Sequence, residues 1–340
     1  MQAIQFSLNE KKLELVKKDI PSFSDNEVLI KVAYAGICGT DLHIVQGAFP
    51  CNGVSPFILG HEFSGILEAK GRNVKWLQIG DRVAVDPNRS CNICNYCREG
   101  NVNYCKNGGI NNTLGIVRDG GWAEYVSVPS DEVYKLPDCI TLEQAVLLEP
   151  LSCIAHAWSK IMPIRPGQKV LVLGAGIIGN LFACVLHSQG HRDVIVSEPV
   201  GSRRNLLNNL DTGFECVTPA KLKLKNNLFD VIIDTTGYAP AVEEAIYLLD
   251  FGGKVCLFGC ANPEAKISIP AFDITAKEIQ LFGVFLNPLS FTKAVGLMKS
   301  MGQRYFDFEK LGIKTYSLSN YKEALATLKD GTISKAVFRI

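Results

Sequence analysis

The first third of the chain reads as strands between turns. The stretches "NEVLIKVAYAGI", "FSGILEAKG", "GDRVAVDP" and "GGWAEYVSVP" alternate or run apolar and end in Gly, Pro or Asp. That is the period-2 pattern of strands, and it predicts an irregular β-rich domain. Near residue 148 the pattern changes: "EPLSCIAHAWSKI" has helical spacing and "PIRPGQ" is a turn. From Lys169 apolar runs alternate with helical stretches. Strand "KVLVLG" is followed by helix "NLFACVLHSQG", strand "DVIVSE" and the helical "GSRRNLLNNL". Strands "FDVIID", "GGKVCLFG" and "EIQLFGVF" come next, with helix "AVEEAIYLLDF" between the first two. Such alternation predicts a parallel sheet covered on both faces. After about Phe285, "SFTKAVGLMKSM" and "NYKEALATLKDG" read helical and "KAVFRI" reads as a strand. Pattern alone leaves this tail with either domain.

Composition adds class. A length of 340 residues suits two domains, and 47% hydrophobic with 20% charged residues fits globular cores. A net charge of +1 offers no basic field to nucleic acid or to an anionic membrane. The apolar run "VLVLGAGIIGNLFACVL" mimics a membrane span, but it is short of the roughly 20 residues a span needs, and three glycines break it. The first residues, "MQAIQFSLNEKKLEL", lack an apolar core behind a basic start, so no secretory signal is expected. Four of the 12 cysteines stand at metal-ligand spacing, which favours a reducing, cytoplasmic compartment.

"GAGIIG" sets Gly174, Gly176 and Gly179 in G-x-G-x-x-G register with Ile178 inside it, after a strand and opening a helix. In that context the glycines permit a tight turn, close approach of a pyrophosphate, and close packing of helix on strand. The helix N-terminus favours the phosphate charge. Glu198 ends the next strand, where a carboxylate takes the adenosine ribose hydroxyls, and this favours NAD over NADP. Arg203 and Arg204 follow, able to pair with Glu198, stack on adenine or accept a 2′-phosphate, or else to form a solvated helix turn.

Two metal constellations stand out. "CNICNYCREGNVNYC" places Cys91, Cys94, Cys97 and Cys105 in C-x2-C-x2-C-x7-C spacing. Four thiolates on a short lobe suit a closed, structural zinc site, and iron or an iron–sulfur cluster also accepts four cysteines. The second set is dispersed: Cys38 in "GICGTDLH", and His61 and Glu62 in "GHE". One thiolate, one imidazole and one carboxylate match the open form of catalytic zinc. Spacing alone does not decide between that role and ordinary structural residues.

"GICGTDLH", "GHEFSG", the cysteine lobe, "GGWAEY", "LLEPLSCIAHA" and "VLGAGIIG" occur in the order typical of zinc-dependent medium-chain dehydrogenases. The chain resembles that family along essentially its whole length, and is most similar to polyol dehydrogenases of the sorbitol and arabinitol type. Threonine dehydrogenase is a near neighbour. The resemblance implies an α/β protein: a GroES-like β-rich catalytic domain from residues 1–147 and 286–340, and a Rossmann doubly wound parallel-sheet domain from 148–285. It implies that Cys38, His61 and Glu62 ligate catalytic zinc, with Glu149 as an exchangeable or water-mediated fourth ligand. Without that role Glu149 is an acid favoured by a helix N-terminus. Cys153 and His156 read as packing. Thr40 and His43 are three apart and share a helical face. By resemblance Thr40 contacts the substrate oxygen and passes its proton toward His43, whereas Asp41 reads as a helix cap.

The implied activity is oxidation of a secondary hydroxyl of a polyol or sugar-derived alcohol to a ketone, with hydride transfer to NAD. The implied assembly is a homodimer or homotetramer pairing Rossmann sheet edges near "KVCLFGCANPEAKISIP". The alternatives are a threonine or other hydroxy-acid dehydrogenase, and a non-catalytic nucleotide-binding protein of the same fold. Two departures bear on substrate. Mammalian sorbitol dehydrogenases lack the cysteine lobe, and they place an arginine after "GVF" where this chain has Leu286 and Asn287. "FLNPLSF" looks closer to arabinitol-type members.

Overall fold

The computed structural model describes residues 1–49, 55–225 and 228–340. Cys51 lies outside the described residues. The chain divides into two compact units. The first comprises Met1–Ser152, Leu286–Gln303 and Ile313–Ile340; the second comprises Cys153–Phe285 and Arg304–Gly312.

The first unit is built on the strand Glu27–Gly36. It pairs antiparallel with Phe63–Lys70, with Tyr125–Pro129 and with the last strand, Lys335–Arg339. Arg82–Val85 and Val133–Lys135 extend the sheet beyond Phe63–Lys70, and Ile313–Tyr316 lies outside Lys335–Arg339. The tail strand therefore belongs to the β-rich unit. Trp122 is the centre of the core: it is fully buried, packs edge-on against Phe338 at 5.3 Å, and donates from Nε1 to the Gly36 carbonyl at 2.9 Å. Gly60 has φ +94, and a Cβ there would meet the Trp122 ring at 2.1 Å, so the turn before His61 accepts only glycine.

The second unit is a six-stranded parallel sheet. Its order is Glu215–Val217, Val194–Ser197, Val170–Leu173, Phe229–Asp234, Leu249–Leu257 and Gln280–Gly283. Val170 to Leu173 are all buried, the apolar run that a strand covered on both faces requires. The membrane-like run is therefore this strand plus the buried helix Ile177–Ser188.

Two expectations are corrected. The helix read as "AVEEAIYLLDF" ends at Ile246, and Leu249 already pairs with Phe229 in the next strand. Pairing with a buried neighbour outweighs the helical spacing of that stretch. The chain also crosses between units more than once: Arg304–Gly312 packs with the second unit, not with the tail. Arg304 donates to the Asp211 carbonyl at 2.8 Å, Lys310 pairs with Asp211 at 2.7 Å, and Tyr305 shares a 2.6 Å hydrogen bond with His187. Residues 148–152, expected with the Rossmann domain, group with the first unit.

Candidate active site and cofactor cradle

Strand Glu27–Gly36 runs out just before Cys38, which caps the helix Gly39–Val45. The cap is made by Asp41, whose Oδ2 accepts the Cys38 N–H at 2.7 Å. The register of Ala35 opposite Phe63 brings His61 and Glu62 to the same end of the sheet, and the Gly36 N–H donates to the Glu62 carbonyl at 2.7 Å. The ligand atoms of Cys38, His61 and Glu62 consequently all lie within 4.8 Å of one another.

Asp41 does more than the sequence suggested. It is fully buried, and its Oδ1 stands 3.5 Å from His61 Nδ1. Neither atom has a hydrogen-bond partner among the described residues. A carboxylate facing one imidazole nitrogen orients the ring so that the other nitrogen can ligate a metal. Local spacing shows only the cap, because His61 arrives from a distant turn.

Lys335 completes the group. It begins "KAVFRI", where a lysine reads as a solvated strand end. The pairing of Val337 with Gly36 instead carries it inward, 2% exposed, to an ion pair with Glu62 and a 3.3 Å bond to the Ile37 carbonyl. Burial alone would lower its pKa, but Glu62 and Cys38 hold it above the usual lysine value. His61 behaves likewise: burial opposes protonation, and the Asp41 and Cys38 charges outweigh it, leaving the ring well above its ordinary pKa. The pocket thus attracts positive charge, as a cation site does.

Thr40 and His43 sit on the same short helix. The Cys38 thiol lies 3.7 Å from Thr40 Oγ1, and His43 is exposed. Glu149 opens the helix Leu148–Ile161 and is buried, but it stands outside the three-residue group. Burial pushes its carboxyl up to about 7, with the His61 charge opposing and the Glu62 and Asp86 charges adding. Cys153 and His156, further along that helix, also stay outside the group.

Cys91, Cys94, Cys97 and Cys105 form the second group. Three of the sulfur pairs stand 3.4 to 3.9 Å apart, all four sulfurs lie within 4.8 Å of one another, and none is in a disulfide. A tetrahedron with Zn–S bonds of about 2.3 Å has edges of about 3.8 Å, close to these spacings, so the four thiols suit a zinc ion.

The cradle belongs to the second unit. Gly174 has φ +96. A Cβ on Gly179 would stand 2.0 Å from the Gly174 carbonyl oxygen, so the helix lies on the turn too closely for any side chain. A Cβ on Gly176 would meet nothing within 4 Å, which leaves that face of the turn open to a phosphate. Ile178 is half-buried in the first turn of the helix. The Glu198 carboxylate accepts the N–H of Ala175 at 2.9 Å and of Val200 at 2.8 Å, so it also braces the glycine turn. Arg204 donates to the carbonyls of Glu198 and Pro199 at 3.0 and 2.6 Å, which removes it as a partner of that carboxylate. The Arg203 Nε is buried and has no hydrogen-bond partner among the described residues.

Comparison with known proteins agrees with this chemistry. The family described as "Alcohol dehydrogenase GroES-like domain" matches residues 24–138, and "Glucose dehydrogenase C-terminus" matches residues 142–339. D-arabinitol dehydrogenase 1 of Uromyces fabae is 30% identical over 92% of this chain and 89% of its own. Sorbitol dehydrogenase of Bacillus subtilis is 28% identical over 93% and 90%. Among solved structures, a putative zinc-binding dehydrogenase from Sinorhizobium meliloti bound to NADP superposes with TM-score 0.90 at 30% identity, over 100% of this chain and 99% of that one. The RspB dehydrogenase from E. coli, complexed with NADH, does so with TM-score 0.88 at 29% identity and the same coverage. Fold and site define a zinc-binding, NAD(P)-dependent oxidoreductase. The chain belongs to the zinc-dependent medium-chain alcohol dehydrogenase family, and the expected α/β architecture and family are borne out. Among the described residues no helix is long and apolar enough to cross a membrane.

Proposed function

We propose that this enzyme oxidises a secondary hydroxyl of a polyol or sugar-derived alcohol to the ketone, with NAD as the hydride acceptor. The observation that carries the proposal is the group of three unlike donors, half-buried Cys38 with buried His61 and Glu62, within 4.8 Å. A structural site would be closed by four protein ligands, whereas three leave a position for substrate. The polyol class is supported by the relatives, which include D-arabinitol, sorbitol and D-altritol dehydrogenases.

Cys38, His61 and Glu62 would hold the catalytic zinc, with Glu149 as its exchangeable neighbour, and the four lobe cysteines would hold the structural one. When bound, zinc supplies Lewis acidity at the substrate oxygen, and the nicotinamide supplies a hydride acceptor. Asp41 fixes the orientation of His61. Thr40 takes the hydroxyl proton and hands it toward His43, whose exposure lets the proton reach solvent. Gly174, Gly176, Ile178 and Gly179 seat the pyrophosphate, and Glu198 takes the ribose hydroxyls while Arg203 lies alongside. A carboxylate at Glu198 repels a 2′-phosphate, so NAD is preferred to NADP.

We place the enzyme in the cytoplasm, where the lobe thiols stay reduced. We assign it a homo-oligomeric state through a Rossmann sheet edge. The strand in "KVCLFG", expected there, is paired on both sides, so the edge is its neighbour Gln280–Gly283, whose Leu281 is 40% exposed; sedimentation as a monomer would overturn that. The function is tested by Cys38→Ser. Metal analysis should fall from two zinc ions per chain to one, with NAD reduction lost. Full turnover with one zinc remaining would refute the catalytic assignment.

A further inference from the structure

Asn287, in the departure "FLNP", sits at the junction of a hydrogen-bond network that joins buried and half-buried side chains. It is 2% exposed. Its Nδ2 donates to Asp86 Oδ1 at 3.0 Å and to Ser152 Oγ at 2.7 Å, and its Oδ1 accepts from Asn88 Nδ2 at 2.7 Å. Ser152 is fully buried and donates to the Glu149 carbonyl at 2.6 Å. On the other side Asn88 Oδ1 accepts from Thr113 Oγ1 at 2.7 Å. Both amide hydrogens and the amide oxygen are used, so only an amide of this length satisfies all three partners. A carboxylate has no proton for Ser152 and meets Asp86 as a like charge. An aliphatic side chain takes one hydrogen-bond partner from each of Asp86, Asn88 and Ser152.

The backbone carries a second, independent sign. Leu286 has φ +57 and Leu289 has φ +49, left-handed conformations that bulky residues seldom adopt. Such strain persists where surrounding contacts over-determine the chain, and it is concentrated at functional sites. Here it brackets the side chain that reaches Asp86, Asn88 and Ser152 together.

We propose that Asn287 is a positioning residue for Glu149, tying the turn of helix that carries this acid to the end of strand Arg82–Val85. The proposal rests on the reading of Glu149 as a neighbour of the catalytic metal. Asn287 need touch neither substrate nor cofactor to act, since a small displacement of a catalytic group costs on the order of a hundredfold in rate.

The test uses the full chain with cobalt in the Cys38–His61–Glu62 site and zinc kept in the lobe, because the visible bands of cobalt report its ligand set and geometry. Glu149→Ala comes first and should move the bands. Asn287→Asp and Ser152→Ala should then each displace them and lower kcat on the order of tenfold or more, with the KM for NAD unchanged. Adding Asp86→Asn to Asn287→Asp relieves the charge repulsion but cannot restore the bond to Ser152. That double variant should regain Tm while its cobalt bands and kcat stay displaced, an outcome that general loss of packing does not produce. If Glu149→Ala leaves the bands unmoved, the reading of Glu149 fails and takes this inference with it. If Glu149→Ala moves them but Asn287→Asp and Ser152→Ala do not, or if kcat recovers together with Tm, the inference alone is overturned.

Discussion

Replacing Lys335 with methionine removes a cation from the candidate zinc site while keeping most of the side-chain length. Lys335 and Glu62 are each 2% exposed and form an ion pair. Two unit charges about 4 Å apart attract by about 4 kcal/mol at an effective dielectric near 20. Removing one partner of such a buried pair costs about 3–5 kcal/mol, because the other charge is left uncompensated. That cost is largest in chelated protein, where no metal shares Glu62 with Lys335. With zinc bound, Glu62 keeps a cation. If the loss then falls by about 2 kcal/mol, linkage requires zinc to bind the variant about 30-fold more tightly. The assay is urea unfolding of wild type and Lys335→Met, each chelated and zinc-loaded, together with zinc competition against a chromophoric chelator. Chelation empties the lobe in both proteins, so the lobe cancels from the comparison. Equal destabilisation in both metal states, or weaker zinc binding by the variant, would show that Lys335 and zinc do not share Glu62.

Other substitutions probe the remaining parts. Gly179→Ala puts a Cβ 2.0 Å from the Gly174 carbonyl oxygen, so the helix must shift and NADH affinity, read by fluorescence, should fall at least about tenfold; wild-type affinity would remove the cradle from the account. Glu198→Gln keeps the side-chain length but loses the charge, and should raise the ratio of NADP to NAD in kcat/KM; an unchanged ratio would sink the discriminating role of the carboxylate. Cys97→Ser should lower the zinc content by one per chain and lower Tm, because a closed four-thiolate site contributes folding energy outright. Unaltered zinc content would point away from a metal in the lobe.

What the sequence discloses follows from how far apart the cooperating residues lie. The glycine turn, the four-cysteine lobe and the strand–helix alternation are local patterns, and each is placed by its own stretch of chain. Cys38, His61 and Glu62 had the right chemistry, but their meeting depends on the register of Ala35 against Phe63. Lys335 was invisible because nothing in "KAVFRI" distinguishes an inward lysine from a solvated one; the pairing of Val337 with Gly36 decides it. Asp41 was legible as a cap and illegible as a partner of His61. Asn287 was noticed only as a departure, since its partners Asp86, Asn88 and Ser152 lie far from it in sequence. The helix that ended early at Ile246 failed for the same reason: Leu249 answers to Phe229 across the sheet.

The most direct test of the central claim is NAD reduction by the purified enzyme across C4–C6 polyols, threonine, simple alcohols and sugar acids, each with and without a zinc chelator. The account predicts rapid turnover of a polyol or sugar-derived alcohol that the chelator abolishes and added zinc restores. Turnover indifferent to the chelator, or confined to threonine, would contradict it.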